Sequence, residues 1–351
     1  MLRPNPLTPD EVCPDGPRMR PMRRMMIALL LAAAVSASAA TPYKVLRHIA
    51  IGGAGGWDYV TVDADAHRVY QSHSDRVAVV DIDKGTVVGT IMNTPGVHGV
   101  ALAPALNRGF VSDGRSDTVT VFDMKTLATV AEWKTTGANP DAILYEPATK
   151  RLFTFNGRGK NATVFDATNG MVVGTIDLGG KPEFAQTDGG RVFVNIEDTS
   201  EIAVIDPKKA AVEKRAPLAP CQSPSGLAID RKHKRLFSVC ENEKMVVTDA
   251  DSLKVVATLP IGKGVDGVAF DDDRAFSSNG ADGTITVVRE LAPDKYEVEE
   301  TVTTARGART IAADPKSHRL FLPTAQFGPQ VEGQRRPPVI EGTFEILEVG
   351  R

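Results

Sequence analysis

The sequence predicts an all-β chain folded as a seven-bladed β-propeller, with four antiparallel strands in each blade. Three observations lead there. An Arg-x-aromatic motif returns seven times, at intervals of 39 to 45 residues. Each interval is filled by runs of four to six residues rich in Val, Ile, Thr, Phe and Tyr, bounded by Gly, Asn and Asp, which is the pattern of short strands joined by tight turns. Beyond the first 40 residues, no stretch carries convincing helical periodicity. Four strands per unit of about 42 residues is the size of a propeller blade, and two packed sandwich domains would not produce a sevenfold repeat.

The repeat can be read element by element. The motif copies are Arg68-Val69-Tyr70, Arg108-Gly109-Phe110, Arg151-Leu152-Phe153, Arg191-Val192-Phe193, Arg235-Leu236-Phe237, Arg274-Ala275-Phe276 and Arg319-Leu320-Phe321. Before each lies a short apolar strand that mostly ends in an acid, as in Val60–Asp63 and Leu227–Asp230. After each comes a polar turn and a β-branched strand, such as Val77–Asp81, Val119–Asp123 or Ala162–Asp166. A fourth strand closes most units, for example Val87–Ile91 and Val172–Ile176. The seventh unit ends at Arg351 after only three strands, while Tyr43–Ile49 is strand-like and unassigned. An unpaired sheet edge is an aggregation hazard, so residues 43–51 are expected to supply the missing strand and close the ring.

Residues 1–40 read as a leader. Arg23 and Arg24 provide the positive start, Ile27–Val35 the apolar run and Ala37-Ser38-Ala39 a small-residue cleavage site. The apolar run is shorter than the roughly 20 residues needed to span a bilayer. The expected mature chain, residues 41–351, is one propeller domain, periplasmic or secreted and monomeric. Removing five basic and three acidic residues leaves 36 Lys and Arg against 41 Asp and Glu, a net charge of −5. A mildly acidic surface offers no electrostatic footprint for nucleic acid.

The Val-Thr-Val-Phe-Asp and Leu-Phe runs, repeated behind a leader, resemble the YVTN-repeat, or YncE-like, propeller family. The likeness covers residues 43–351, and the Trp-Asp and Gly-His dipeptides of WD40 blades are missing at the required spacing. The resemblance implies a periplasmic or surface protein, in some cases a partner or domain of a cofactor-bearing enzyme. It implies no catalytic residues.

Propellers bind ligands where the blade loops converge on the central channel. Aligning the repeats puts Asp58, His98, Asp141, Glu183, Ser225, Asp266 and Arg309 at the start of the seven innermost strands, 40 to 43 residues apart. Six of the seven are ionisable. Clustered carboxylates raise one another's pKa, so such a ring calls for a positive charge: Arg309, a bound cation or a cationic ligand. Loops after the second strands carry His73, Asp113, Asn156, Glu197, Asn242 and Asn279, expected at the same mouth. Together these oxygen donors would suit Ca²⁺ or Mg²⁺. Trp57 and Tyr59 flank Asp58 as an aromatic wall or as packing between blades. A Pro-rich insertion, residues 326–342, is expected over the mouth between the second and third strands of the last blade, as a lid, a docking loop or a plain surface loop.

Cys221 lies just before the first strand of the fifth blade and Cys240 ends its second strand, so they are either a disulfide closing a 19-residue loop, worth about 3 kcal/mol, or two free buried thiols. No Cys-x-x-Cys-His, His-Glu-x-x-His, Gly-x-Ser-x-Gly or phosphate-loop motif occurs. Three readings therefore stand. The first is a non-catalytic binding or scaffolding module for a small ligand or an envelope protein. The second is a divalent-metal-dependent lactonase- or lyase-like enzyme, with Asp58, Asp141, Glu183 and Asp266 holding the ion and His98 as general base. The third is a subunit of a periplasmic dehydrogenase.

Overall fold

The computed structural model describes residues 41–333 and 337–351. The leader expected in residues 1–40, together with Arg335 and Arg336 of the insertion, lies outside the described residues. The described chain forms seven four-stranded antiparallel sheets. The first blade consists of Trp57–Asp63, Arg68–His73, Arg76–Asp81 and Thr86–Met92, hydrogen-bonded in sequence order. Five more blades repeat this order. Among the described residues the one helical element is a single 3₁₀ turn, Pro104–Leu106.

The seventh blade is assembled from both ends of the chain. Ala312–Asp314, Arg319–Thr324 and Glu345–Gly350 form its first three strands, and Lys44–Ala50 its fourth. The pairing runs from Lys44 opposite Gly350 to Ala50 opposite Glu345. Side chains reinforce it. Arg47 reaches both Glu348 and the backbone carbonyls of Ile82 and Asp83 in the first blade. Tyr43 stands edge-on to Phe276 with centroids 5.2 Å apart, and the Arg351 guanidinium lies 4.3 Å above its ring. The expected closure by the N-terminal strand is therefore present.

The core is seven wedges, each shared by two neighbouring blades. Tyr70, Val77 and Val79 of the first blade interlock with Val100, Val111 and Phe122 of the second. The same arrangement recurs around the ring and ends where Phe321 and Ile346 of the last blade meet Val60 and Val80 of the first. A single sheet cannot bury its own apolar faces, so each blade depends on the next, as in other stacked repeats.

This arrangement explains the Arg-x-aromatic motif. All seven aromatic rings are 1% exposed or less, each stabilising its wedge by roughly 1.5–3 kcal/mol. The arginines act outside the wedge. Arg68 donates to the Met124 carbonyl at 2.9 Å, Arg108 to Ala167 at 3.1 Å and Arg191 to Ala250 at 2.9 Å. Each target is a turn of the next blade, so in these three blades the motif packs a wedge and clamps the neighbour, whereas Arg274 and Arg319 bind Glu299 and Glu348 of their own blades. The strand-ending acids cap turns: Asp123 Oδ1 accepts the amides of Lys125 and Thr126, and Asp63 Oδ1 those of Asp65 and Ala66.

Cys221 and Cys240 form the disulfide, with Cα atoms 5.5 Å apart. The insertion lies between the second and third strands of the last blade, as expected. Phe327 bridges Val339 in antiparallel fashion, and both pack with Trp57 and Phe344.

The closure sets a testable expectation. Removing residues 41–50 strips one full strand and exposes the Glu345–Gly350 edge. The truncated chain should melt more than about 5 °C below the mature chain in a calorimetric scan. Equal melting temperatures would mean that the ring does not depend on this strand.

Candidate functional site

Six of the seven inner strands break register at their first residues, where the predicted ring positions lie. The irregularities fall between Trp57 and Val60, Val97 and Val100, Pro140 and Ile143, Pro182 and Ala185, Pro224 and Leu227, and Val265 and Gly267. A bulge bends its strand and re-aims a side chain. It also frees backbone groups that must be paired elsewhere. Second-strand side chains do this. Ser72 Oγ accepts the Asp58 amide at 3.0 Å, and Ser112 Oγ accepts the Gly99 amide at 2.9 Å and donates to the Asp141 carbonyl of the next blade at 2.5 Å. Asn195 donates to the Ser225 carbonyl at 3.1 Å. Thr310 closes the circle by donating to the Asp58 carbonyl at 2.9 Å.

The ring side chains converge as pairs. His98 Nδ1 lies 2.6 Å from Asp58 Oδ2 and 3.5 Å from Asp141 Oδ1. Arg309 Nε donates to Asp266 at 3.1 Å, and its terminal nitrogen donates to the Trp57 carbonyl at 2.7 Å and sits 4.0 Å from Asp58. Lys181 lies 2.6 Å from Glu183 and also contacts Glu197. Each of the four ring acids therefore faces a cation belonging to the chain. Ser225 brings no charge, and its hydroxyl is buried without a partner among the described residues.

Below the ring, Tyr59 and Phe184 meet across the axis with centroids 4.3 Å apart. They directly follow Asp58 and Glu183 in sequence, so they cover the ring end of the channel. Beyond them runs a cavity of about 520 Å³ lined by inner-strand residues of all seven blades, including Leu102, Leu144 and Phe270. Tyr59 is thus part of the channel floor.

The protonation states follow from this packing. Burial disfavours a charged His98, yet the hydrogen bond to Asp58 and the charge of Asp141 outweigh it and lift its pKa to about 9. It is an imidazolium at neutral pH; its second nitrogen lies 3.2 Å from Asn139 Nδ2, itself a donor, so the N–H there finds an acceptor only with the carboxamide turned to present its oxygen. Burial pushes Asp141 up to about 6, with Asp58 adding to the rise and His98 opposing it. Burial, then the charge of Asp141, also raises Glu183. Tyr59 is raised by burial and by the surrounding carboxylates.

Several predicted residues do not join the ring. His73 is 1% exposed and packs on Phe344 at 4.2 Å, and burial lowers its pKa. Asn156 and Asn279 are fully buried inside their own blades. Asn156 donates to Asn161 and Thr163, and Asn279 to Thr284 and Thr286. Both thus pin the hairpin between second and third strands through residues five and seven positions ahead. Asp113 fills the same slot against Thr118 and Thr120. Asn242 braces the disulfide loop by donating to the Pro220 carbonyl at 2.9 Å. Asn156, Asn279 and Asn242 thus satisfy local donors and acceptors, and Asp113 is buried against its own hairpin. Glu197 alone of this group reaches the ring, through Lys181. Trp57 is largely buried, stacked on Phe344 at 5.2 Å, with the Arg309 guanidinium 5.9 Å from its ring centre.

Sequence reasoning missed Lys181 and Asn139. Both precede ring acids by two residues, ahead of the prolines at 182 and 140, a position that holds Gly or Ser in the other five blades.

No family model matches the chain, and no curated protein matches it. Solved structures share its fold. A chain of Kuenenia stuttgartiensis hydrazine synthase is 17% identical, with a TM-score of 0.65, over 77% of this chain and 92% of that one. The U3-55K structure is 9% identical with a TM-score of 0.70, over 88% and 98%. A chain of the mitotic checkpoint complex is 13% identical with a TM-score of 0.70, over 92% and 96%. At these identities the likeness establishes the propeller alone.

Two predictions follow from the geometry. Asp113 is buried, its second oxygen has no partner, and burial raises it to about 7. Because the folded state favours the protonated form, its contribution is present in acid and is lost as pH rises through 7. Asp113→Asn recreates the slot of blades three and six. Its benefit should be smallest near pH 4, around the unfolded carboxyl range, and should grow by roughly 2–4 kcal/mol by pH 8, read from paired melting curves. An equal effect at both pH values would contradict the assignment. The second prediction concerns His98. Its ring resonances in an NMR titration should move with a midpoint near 9. A midpoint near the unperturbed 6.5 would mean that the Asp58 contact does not form in solution.

Proposed function

We propose that residues 41–351 form an exported, non-catalytic propeller domain that binds or scaffolds through the charged ring face. The observation that carries this reading is the pairing of every ring acid with a cation of the chain itself. Such a ring presents groups of both signs to a partner, its acids already engaged by His98, Lys181 and Arg309. His98, held as an imidazolium against Asp58, is a poor general base at neutral pH. The floor of Tyr59 and Phe184 keeps the bowl shallow, which suits a small ligand or a protruding group of an envelope protein. The disulfide supports export to an oxidising compartment.

One observation favours a second reading, a divalent-cation site for Ca²⁺ or Mg²⁺. Asp58, His98 and Asp141 each offer a ligand atom, and these atoms lie within 4.8 Å of one another. Metal binding there would have to displace the proton that His98 carries.

Elemental analysis of the mature protein, beside melting scans with and without chelator, separates the two. The binding-module reading expects no stoichiometric metal and no chelator effect. A stoichiometric divalent cation and a chelator-induced loss of several degrees would replace it with the metal site.

A further inference from the structure

Beside the ring, on the side of Arg309, lies a second cavity of about 330 Å³. Trp57, Phe327, Pro337 and Val339 give it an apolar wall, and Arg306 and Arg309 bring two guanidinium groups to it. Its size falls at the lower end of small-molecule sites, and an apolar lining with a few convergent polar groups is their usual chemistry. We propose that this cleft binds a small planar carboxylate, with its flat body against Trp57 and Phe327 and its anion on Arg306. The proposal rests on the ring face being the binding face and adds a ligand class to it.

Three observations support the proposal independently of one another. The first is the state of the two arginines. Arg309 is committed to Asp266 and to the Trp57 carbonyl. Arg306 is exposed and makes no side-chain hydrogen bond or ion pair among the described residues, although its backbone carbonyl accepts from Thr324. A guanidinium free to offer its planar fork matches a carboxylate in bidentate geometry. The second is Trp57 itself. It is 92% buried by its 8% exposure, and its indole N–H is buried with no acceptor among the described residues. That N–H has almost no accessible surface, so a ligand acceptor reaches it only if the indole or Phe327 shifts as the ligand enters. The third is the glycine content of the wall. A Cβ on Gly307, whose φ is +88°, would come within 2.6 Å of the Phe327 ring, and one on Gly280 within 2.6 Å of Arg309 Cβ. Bare backbone at both places is what lets an aromatic ring and a guanidinium share the cleft.

The test uses the mature chain with Trp133→Phe, which leaves Trp57 as the sole tryptophan. Benzoate and 2-naphthoate are titrated in, followed by Trp57 emission and by calorimetry, with 2-naphthamide as the uncharged comparison. At least one carboxylate should bind and perturb Trp57 emission. Arg306→Gln, and replacement of the carboxylate by the amide, should each weaken binding by about tenfold or more, with Arg306→Lys in between. Arg306 is exposed, so its variants should fold, and a melting scan of each checks this. Absence of binding at millimolar carboxylate would overturn the proposal. So would binding that Arg306→Gln leaves unchanged. Neither result bears on metal content or chelator response, so the broader reading stands or falls separately.

Discussion

The ring face depends on a backbone constraint: six of the seven inner strands must leave their regular ladder at their first residues without stranding a buried polar group. A strand running straight to the channel mouth would keep its side chains alternating between the neighbouring blades. The register break turns the ring residue toward the axis, and the freed amides and carbonyls are taken up by Ser72, Ser112, Asn195, Ser278 and Thr310. Several of these reach the next blade. The same hydrogen bonds that make the bulge tolerable therefore also fix the spacing between ring residues.

Fixed spacing lets the ring compensate its own charge. Four carboxylates close to one axis would repel, and the fold answers with His98, Lys181 and Arg309 in alternation with them. Burial would neutralise these groups if they stood alone. Close pairing keeps His98 protonated well above its ordinary range, whereas Asp141, set farther from His98, is held partly toward its neutral form. The consequence is a face with defined positive and negative places.

The insertion of the seventh blade breaks the symmetry that the repeats otherwise impose. Phe327 and Val339 join Trp57 and Phe344 in a small cluster outside the seven interblade wedges. Its position beside Arg306 and Arg309 makes one sector of the face apolar and cationic, while the sector around Glu183 and Glu197 is acidic with Lys181 between. A propeller with seven identical blades would have no such direction.

The sequence by itself determined the blades, their number, the closing strand and which residues begin the inner strands. All of these are set by local period or by a fixed offset within each repeat, and a period survives in one dimension. The apolar wedges and the turn-capping acids were legible for the same reason. What only the tertiary structure decided was who meets whom across the ring. Asp58 and His98 are 40 residues apart, and Arg309 reaches the Trp57 carbonyl from 252 positions away, contacts made by ring closure. Lys181 and Asn139 escaped notice because prolines separate them from the strands that they serve. Asn156, Asn279 and Asp113 looked like mouth residues because a polar strand end reads as a loop. Their partners five and seven residues ahead were in the sequence, but only the antiparallel register of the hairpin brings those side chains together.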